Sequence, residues 1–173
     1  MPRSRVRPRT LLIGAGVLAA LAAFVVLGLA GSSGRDGSPA PALPRARLSG
    51  PAVTLAALRG HPVLVDFWAS WCEACEQEAS VLERFSRNLH GRAVVVGVNW
   101  EDLSLPNAHK FIRDYRWTFP NLRDPDGTIG REYGITSFLP TAFVIDSAGR
   151  LRATLRGPQT EKTLTNALAT VGG

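Results

Sequence analysis

Residues 63–75 read Val-Leu-Val-Asp-Phe-Trp-Ala-Ser-Trp-Cys-Glu-Ala-Cys, and the interpretation of the whole chain starts from this stretch. It begins as an apolar, β-branched run of strand length and ends in two cysteines, Cys72 and Cys75, with two residues between them. The next residues, Glu-Gln-Glu-Ala, favour helix. The stretch therefore predicts a strand that leads into a helix, with a dithiol at the start of the helix.

The spacing of the two cysteines favours redox chemistry over a structural role. Residues three apart on a helix lie about 5–6 Å apart on one face, which is within the separation that a disulfide needs. A disulfide stabilises a protein by closing a loop of the unfolded chain, and a bridge between Cys72 and Cys75 closes only a very short one. We therefore predict a disulfide that forms and opens during function.

The two cysteines are predicted to have different roles. Unpaired N–H groups and the positive end of the helix dipole favour a thiolate on Cys72, which makes it the attacking nucleophile. Cys75, one turn further on, is expected to be more buried and to resolve the mixed disulfide. Carboxylates at Glu73, Glu76 and Glu78 oppose ionisation of a nearby thiol. We therefore expect the protein to act as a reductant of disulfides rather than as an oxidant of thiols.

No metal or cofactor is predicted for the dithiol. Two cysteines cannot complete a tetrahedral zinc site, and His61, His90 and His109 lack ligand spacing. Haem attachment would require His directly after Cys75, where the chain has Glu76. A copper-binding or copper-delivery module stays open as an alternative of a different class, because soft thiolates suit Cu(I).

Two segments of the chain resemble thioredoxins. Residues 65–75 resemble the active-site segment, and residues 138–146, Phe-Leu-Pro-Thr-Ala-Phe-Val-Ile-Asp, resemble the segment in which a cis proline precedes a strand beside the dithiol. Residues 94–99 and 119–127 are similar to the insertion of membrane-anchored, exported thioredoxin-like proteins of the TlpA, ResA and CcmG/DsbE type. The resemblance covers roughly residues 53–171. It implies an α/β thioredoxin fold, with a central mixed β-sheet flanked by helices.

Asp66 is an acid within a run that is predicted to be interior, where an unpaired carboxylate is costly. Its strand leads to the dithiol, so Asp66 is a candidate general base that takes the proton from Cys75. The alternative is a carboxylate bonded to the backbone at the end of a strand. The exported relatives often carry Asn at this position and Pro at that of Ala74, so the motif does not predict the reduction potential.

Other candidate site residues follow from the resemblance and from position. A cis Pro140 would leave the backbone of Leu139 free to pair with an extended substrate segment; the alternative is a proline in an ordinary turn. Trp71, beside the first cysteine, is a candidate contact for a partner protein. Glu101 and Asp102 both resemble an acidic position near the dithiol of the exported relatives, and the sequence does not choose between them.

The N-terminal region predicts a membrane anchor. Residues 1–9 carry four arginines and no acid, and residues 10–30 contain twenty uninterrupted apolar, Ala or Gly residues, enough to span about 30 Å. The arginines place the N-terminus in the cytoplasm and the rest of the chain outside. A cleavable signal peptide is the alternative. Residues 31–50 are predicted to be a flexible linker and residues 51–173 the thioredoxin-like domain.

The net charge of +6 does not indicate nucleic-acid binding, because residues 1–9 supply four of the twenty basic residues and the rest of the chain is near +2. Apolar spacing, caps and turn residues predict further helices and strands. The predicted helices run from Cys72 to near Gly91, from Ser104 onward, over 129–133 and over 164–171; the predicted strands are 53–55, 93–98, 141–145 and 151–155. Residues 118–127 are predicted to be loop.

Together these features predict an extracytoplasmic thiol-disulfide oxidoreductase on a single membrane helix. It would exchange disulfides with protein substrates through Cys72 and Cys75 and be reduced again by a membrane thiol reductase. The resemblance implies apocytochrome c as one client, within cytochrome c maturation. The P-x-x-x-T-x-x-C motif of peroxiredoxins is absent around Cys72, which argues against peroxidase chemistry. An oxidase that donates its disulfide to exported proteins is the alternative, since direction depends on reduction potential, about 30 mV per tenfold in equilibrium.

Overall fold

A computed structural model describes residues 37–171, which form a six-stranded mixed β-sheet with helices on both faces, as predicted. The prediction of this α/β architecture is therefore confirmed. The elements in chain order are β1 (Ala46–Ser49), β2 (Val63–Trp68), α1 (Glu73–Asn88), β3 (Val94–Trp100), α2 (Leu105–Asp114), β4 (Asn121–Asp124), α3 (Thr128–Tyr133), β5 (Thr141–Ile145), β6 (Leu151–Arg156) and α4 (Glu161–Ala169).

The strand order places three loops at one edge of the sheet. The order is β1-β4-β3-β2-β5-β6, with β2, β3 and β4 parallel and with β1, β5 and β6 antiparallel to their neighbours. Thr141 pairs with Phe67, so β5 begins where β2 ends. The segments after β2, after β3 and before β5 therefore meet at one edge, which we call the dithiol edge.

The core consists of two apolar layers, one on each face of the sheet. Side chains alternate along a strand, and those of β2 divide accordingly. Val63, Val65 and Phe67 pack in the layer that includes residues of α3, whereas Leu64 and Trp68 pack in the layer against α1, α2 and α4. The continuous apolar run of β2 is thus buried on both faces, as expected of a central strand.

An aromatic cluster lies under the loop that carries the dithiol. The ring of Trp68 is 4.7 Å from that of Phe111 and 4.9 Å from that of Trp117. Its Nε1 donates a hydrogen bond of 3.1 Å to Oδ1 of Asn121. A Cβ atom at Gly97 would collide with the side chains of Trp68 and Asn121, so only glycine fits there.

The prediction of a flexible linker over residues 31–50 is wrong for residues 37–50. From residue 37 onward the chain packs on the domain: β1 pairs with β4, Leu43 is buried, and the hydroxyl of Tyr133 donates to the carbonyl of Pro41 at 2.8 Å. The few apolar residues of 37–50 lie among prolines and serines, and this composition is typical of a linker. The packing of the segment on the domain could therefore not be predicted from its sequence. We propose that the folded domain includes residues 37–50.

Two local predictions also differ from the structure. Residues 53–55 form no strand; the chain turns there instead, with the N–H of Ala57 donating to the carbonyl of Thr54 at 3.1 Å. Within the predicted loop 118–127 lies β4. Its sequence, Asn-Leu-Arg-Asp, is short and mostly polar, so only pairing with β1 and β3 reveals it as a strand.

Among residues 37–171, no helix combines the length and the hydropathy that a membrane crossing needs. The predicted anchor, residues 10–30, and the basic segment, residues 1–9, lie outside the described residues. Both stay predictions.

Candidate active site

The dithiol lies at the start of α1, at the dithiol edge. Cys72 is the N-cap of α1 and forms a disulfide with Cys75 across a Cα–Cα distance of 5.2 Å. The backbone N–H of Cys75 donates to Sγ of Cys72 at 3.1 Å. Because the first N–H groups of a helix have no partner within the helix, this contact would stabilise a thiolate on Cys72 once the disulfide opens.

The two sulfur-bearing residues differ slightly in exposure. Cys72 is 6% exposed and Cys75 is 1% exposed, which is the predicted order. Trp71, directly before them, is 59% exposed, whereas Trp68 is fully buried in the aromatic cluster. A client can therefore approach the dithiol from the side of Trp71.

Asp66 is fully buried in β2, with its side chain toward α1 on the same face as Leu64 and Trp68. Neither of its carboxyl oxygens accepts a hydrogen bond from a backbone N–H, so the alternative of a backbone-bonded aspartate is wrong. Its carboxyl group interacts with that of Glu78. Burial first, and then the negative charge of Glu78, raise the pKa of Asp66 well above its usual value.

Glu78 was predicted only as one of three acids near the dithiol, and neither its burial nor its contact with Asp66 was expected. It is 1% exposed, and its Oε2 accepts a hydrogen bond of 2.6 Å from the backbone N–H of Gln159, just before α4. Burial raises the pKa of Glu78 to about 7, although the bonds to Gln159 and Asp66 lower it. The sequence held one signal: Glu78 lies three residues after Cys75 and four before the buried Leu82, on the apolar stripe of α1.

Asp66 and Glu78 together form what we call the acid pair. Two buried carboxyl groups that interact cannot both ionise easily, because each charge opposes the other. The pair therefore keeps its protons to a higher pH than isolated carboxyl groups do. Its member Glu78 lies one helical turn from Cys75, on the buried face of α1.

Asp102 is the acidic residue that is attached to the dithiol loop. Its Oδ2 accepts hydrogen bonds from Ser70 N–H at 2.7 Å and from Asn99 Nδ2 at 3.0 Å, and its Oδ1 accepts one from Ser104 N–H at 3.1 Å. Burial would raise the pKa of Asp102, but these bonds outweigh it and lower the pKa. Glu101, by contrast, is exposed and lies 3.5 Å from the guanidinium of Arg131.

The proline segment lies at the same edge of the sheet. The Leu139–Pro140 peptide bond is cis, as the resemblance implied, and β5 begins at the next residue. Leu139 is partly buried against the apolar layer that contains both cysteines. The carbonyl of Pro140 accepts a hydrogen bond from Gly157 N–H, while within residues 37–171 the backbone of Leu139 has no hydrogen bond.

Within residues 37–171, no group of three or more His, Cys, Asp or Glu side chains is arranged to hold a metal ion. His61 is exposed and His109 is half-buried, and the two residues are far apart in the sequence. The described part of the chain thus offers no ligand set beyond the dithiol itself for the copper-binding alternative.

Comparison with known proteins agrees with this geometry. The model of the AhpC/TSA family matches residues 37–154. The thiol:disulfide interchange protein DsbE of Allochromatium vinosum is 36% identical over 155 residues, covering 85% of this chain and 83% of that protein. The thiol-disulfide oxidoreductase ResA of Bacillus subtilis is 29% identical over 127 residues, covering 73% and 70%.

Solved structures agree as well. The crystal structure of a protein described as a DsbE thiol:disulfide interchange protein, from Chlorobium tepidum, has a TM-score of 0.68 and 29% identity, covering 80% of this chain and 98% of that one. The matched fold is thioredoxin-like, and the dithiol of this chain lies within the matched family region. The chain therefore belongs to the AhpC/TSA family as a thioredoxin-like thiol-disulfide oxidoreductase related to DsbE and ResA, with Cys72 and Cys75 as its redox-active pair.

Proposed function

We propose that this oxidoreductase works as a reductant on exported proteins. The observation that carries the proposal is the buried acid pair, Asp66 and Glu78, of which Glu78 lies one helical turn from Cys75. Negative charge close to a thiol opposes its ionisation, and strong oxidants in this chemistry are those whose reduced form is stabilised. The acid pair therefore favours the disulfide form of the enzyme, and with it a low reduction potential.

The proposed cycle transfers two electrons to the client. The thiolate of Cys72 attacks one sulfur of a client disulfide, and the other client sulfur leaves as a thiolate. Cys75 then loses its proton and attacks the sulfur of Cys72, which breaks the mixed disulfide. The client leaves as a dithiol, and the enzyme is left with the Cys72–Cys75 disulfide. A membrane thiol reductase restores the dithiol by supplying two electrons.

The acid pair is the proposed acceptor of the proton from Cys75, directly or through a water molecule. The pKa of Glu78 is raised to about 7 and that of Asp66 is raised well above its usual value. At pH 7 the carboxyl group of Glu78 is therefore partly ionised and can accept a proton. A base with a pKa near the working pH is the effective kind, and the pair fits that requirement.

Client binding is proposed to use both sides of the dithiol. The free backbone of Leu139, before Pro140, can pair with an extended client segment in the manner of an added strand. Trp71 offers an exposed apolar ring beside Cys72. These two contacts would align the client sulfur with Cys72.

The proposed setting is the outer side of the cytoplasmic membrane. Residues 10–30 would anchor the chain, with residues 1–9 in the cytoplasm and the domain from residue 37 outside. Two solved structures of similar fold belong to proteins described as secreted, which supports an extracytoplasmic domain. We propose apocytochrome c as one client, on the strength of the likeness to DsbE and of the sequence resemblance to CcmG-type proteins.

The reduction potential of the full-length chain, equilibrated in glutathione or dithiothreitol buffers, tests the direction. We expect a value near that of thioredoxin, roughly −270 mV, whereas a value near roughly −120 mV would overturn the proposal. For the client, deletion of the protein should lower holocytochrome c, and an added thiol should restore it. A C72S chain should behave like the deletion, and normal holocytochrome c in its presence would rule the client out.

The oxidase remains a second candidate because one contact favours it. The hydrogen bond from Cys75 N–H to Sγ of Cys72 stabilises a thiolate, and so the reduced enzyme. A stabilised reduced form is what makes a strong oxidant. The same measurement of potential decides between the two directions.

A further inference from the structure

The edge of the sheet opposite the dithiol edge is built from three segments. Val63 pairs with Val94 and with Ile145, so the residues before β2, before β3 and after β5 meet there. We call this surface the far edge, and its segments are residues 56–62, 89–93 and 146–152. Gly60 N–H donates to the carbonyl of Ser147 at 3.0 Å, which joins the first segment to the third. The far edge thus lies at the other end of β2 from the dithiol.

The far edge is basic. Six of its side chains are basic and exposed: Arg59, His61, His90, Arg92, Arg150 and Arg152. Its one acid, Asp146, is only 9% exposed and accepts a hydrogen bond from the guanidinium of Arg152 at 2.7 Å. Four arginines against one aspartate give the far edge a net charge of +3 when its histidines are neutral.

The dithiol edge carries the opposite charge. Its segments, residues 69–76, 101–104 and 134–140, contain four acids and no basic residue, which gives them a net charge of −4. These acids are Glu73, Glu76, Glu101 and Asp102. The domain therefore has charge of opposite sign at the two ends of β2. An anionic surface would attract the far edge and repel the dithiol edge.

The described part of the chain also begins at the far edge. Gly37 N–H donates to the carbonyl of Leu151 at 2.6 Å, and the guanidinium of Arg150 donates to the carbonyl of Gly37 at 2.7 Å. Ala40 N–H donates to the carbonyl of Gly149 at 3.0 Å. Because the predicted anchor precedes residue 37 in the sequence, the chain that comes from the membrane joins the domain at this edge.

We propose that the far edge rests on the anionic headgroups of the membrane that holds the anchor, and that the dithiol edge faces away from the lipid. This inference rests on the anchor of the proposed function, but not on the direction of electron transfer. Each arginine close to an anionic lipid surface favours the contact by roughly fivefold. Since β2 has six residues, at about 3.3 Å each the dithiol stands about 20 Å from the far edge. Clients in the aqueous phase can reach it there.

The three histidines of the chain provide the test. His61 and His90 are exposed at the far edge, whereas His109 lies on α2 and is the internal control. The full-length chain is placed in nanodiscs of phosphatidylcholine, with or without an equal share of phosphatidylglycerol. The rate at which diethylpyrocarbonate modifies each histidine is then measured by mass spectrometry.

We expect phosphatidylglycerol to slow the modification of His61 and His90 by at least about fivefold relative to His109. Salt at about 1 M should abolish the difference, because the Debye length then falls to about 3 Å. The same ratio of rates is measured in two triple variants with equal loss of charge. They are R59Q/R92Q/R150Q at the far edge and R45Q/R47Q/R156Q, the matched control, outside it.

The far-edge variant should lose the protection of both histidines, whereas the control variant should keep it. All six substituted arginines are exposed, so both variants should fold, which circular dichroism checks.

Three results would overturn the inference. If the chain stays in phosphatidylcholine discs but phosphatidylglycerol does not protect His61 and His90, the far edge does not rest on anionic lipid, although the anchor stands. If His109 is protected equally, or if the far-edge variant keeps the protection, the arginines of the far edge do not make the contact. If the chain does not stay in phosphatidylcholine discs, the proposed anchor fails, and the inference with it.

Discussion

Two buried acidic sites flank the dithiol, and they differ in the groups that surround their carboxyls. The carboxylate of Asp102 accepts hydrogen bonds from three N–H groups, which lower its pKa despite burial. Asp66 and Glu78 face each other with one backbone donor, Gln159 N–H, and the pKa of each is raised. Burial alone therefore does not decide whether a carboxyl group ionises; the number of donors and the neighbouring charge do.

The comparison assigns the two sites different work. Asp102 stays ionised and joins the loop after β3 to the loop that carries the dithiol. The acid pair can change its protonation near neutral pH, which suits proton transfer from Cys75. In the proposed function, Asp102 therefore holds the dithiol loop in position, and the acid pair takes part in proton transfer.

The largest effect is expected from removing the Asp102 carboxylate. D102A leaves the N–H groups of Ser70, Asn99 and Ser104 without their acceptor, and each buried donor left unpaired costs about 1–3 kcal/mol. We expect the free energy of unfolding at pH 7 to fall by about 3 kcal/mol, measured by urea denaturation of the full-length chain. A loss below about 1 kcal/mol would mean that Asp102 does not hold the loop.

The next effect is kinetic and concerns the acid pair. E78Q removes the carboxylate that accepts the proton of Cys75, so resolution of the mixed disulfide should slow by about 100-fold, the low end of what general-base catalysis contributes. Single-turnover reduction of a disulfide peptide measures it. E76Q, which changes an exposed glutamate of the same helix, is the matched control. Equal rates for E78Q and E76Q would remove Glu78 from the mechanism.

D66N tests the other member of the acid pair. If the pair accepts the proton, this variant should flatten the rise in reduction rate with pH around pH 7, because Asn cannot share a proton with Glu78. The rate is followed from pH 5.5 to 9 in the native chain and the variant. An unchanged pH profile would exclude Asp66 as part of the base.

The two acidic sites should also make the free energy of unfolding depend on pH in opposite ways. The pKa of Glu78 rises from an ordinary 4.5 to about 7 on folding, so its contribution is complete below pH 4.5 and is lost as pH rises through 7, by about 3 kcal/mol. The pKa of Asp102 is lowered, so its contribution is present above about pH 4 and is lost as pH falls further. Urea unfolding across pH measures both.

E78Q should reduce the loss at the alkaline side, where buried Asp66 still contributes, and leave the loss at the acid side. If the native chain instead gains stability between pH 4.5 and 7, and E78Q abolishes that gain, then the pKa of Glu78 is lowered on folding. In that case the contrast between the two sites would be wrong.

The smallest effect is expected at Glu101. Its carboxylate is exposed and 3.5 Å from the guanidinium of Arg131, and exposed ion pairs contribute little. E101Q should change the free energy of unfolding by less than about 0.5 kcal/mol, in the same assay as D102A. A loss comparable to that of D102A would show that the two neighbouring acids share one task.

Much of the site could be predicted from local pattern. The dithiol at the start of α1, the exposure of Trp71 and the cis bond before Pro140 all agree with expectation. Each depends on a motif or on residues a few positions apart. The same holds for the helices and for the hairpin of β5 and β6.

The errors share a cause as well. The strand β4 is short and polar, and residues 37–50 are rich in proline, so their structure depends on partners far along the chain. The pairing of Glu78 with Asp66 escaped prediction because the two residues lie on different elements. The choice between Glu101 and Asp102 required knowing which of them reaches Ser70.

By itself, then, the sequence determined the chemistry: a dithiol whose first sulfur caps a helix, since capping and the spacing of Cys72 and Cys75 are set by neighbours in the chain. The tertiary structure alone decided how the acids around it behave. Sheet register and helix packing bring Asp66 to Glu78 and Asp102 to Ser70, and the pKa of a buried carboxyl group depends on the charges and donors that these long-range contacts supply.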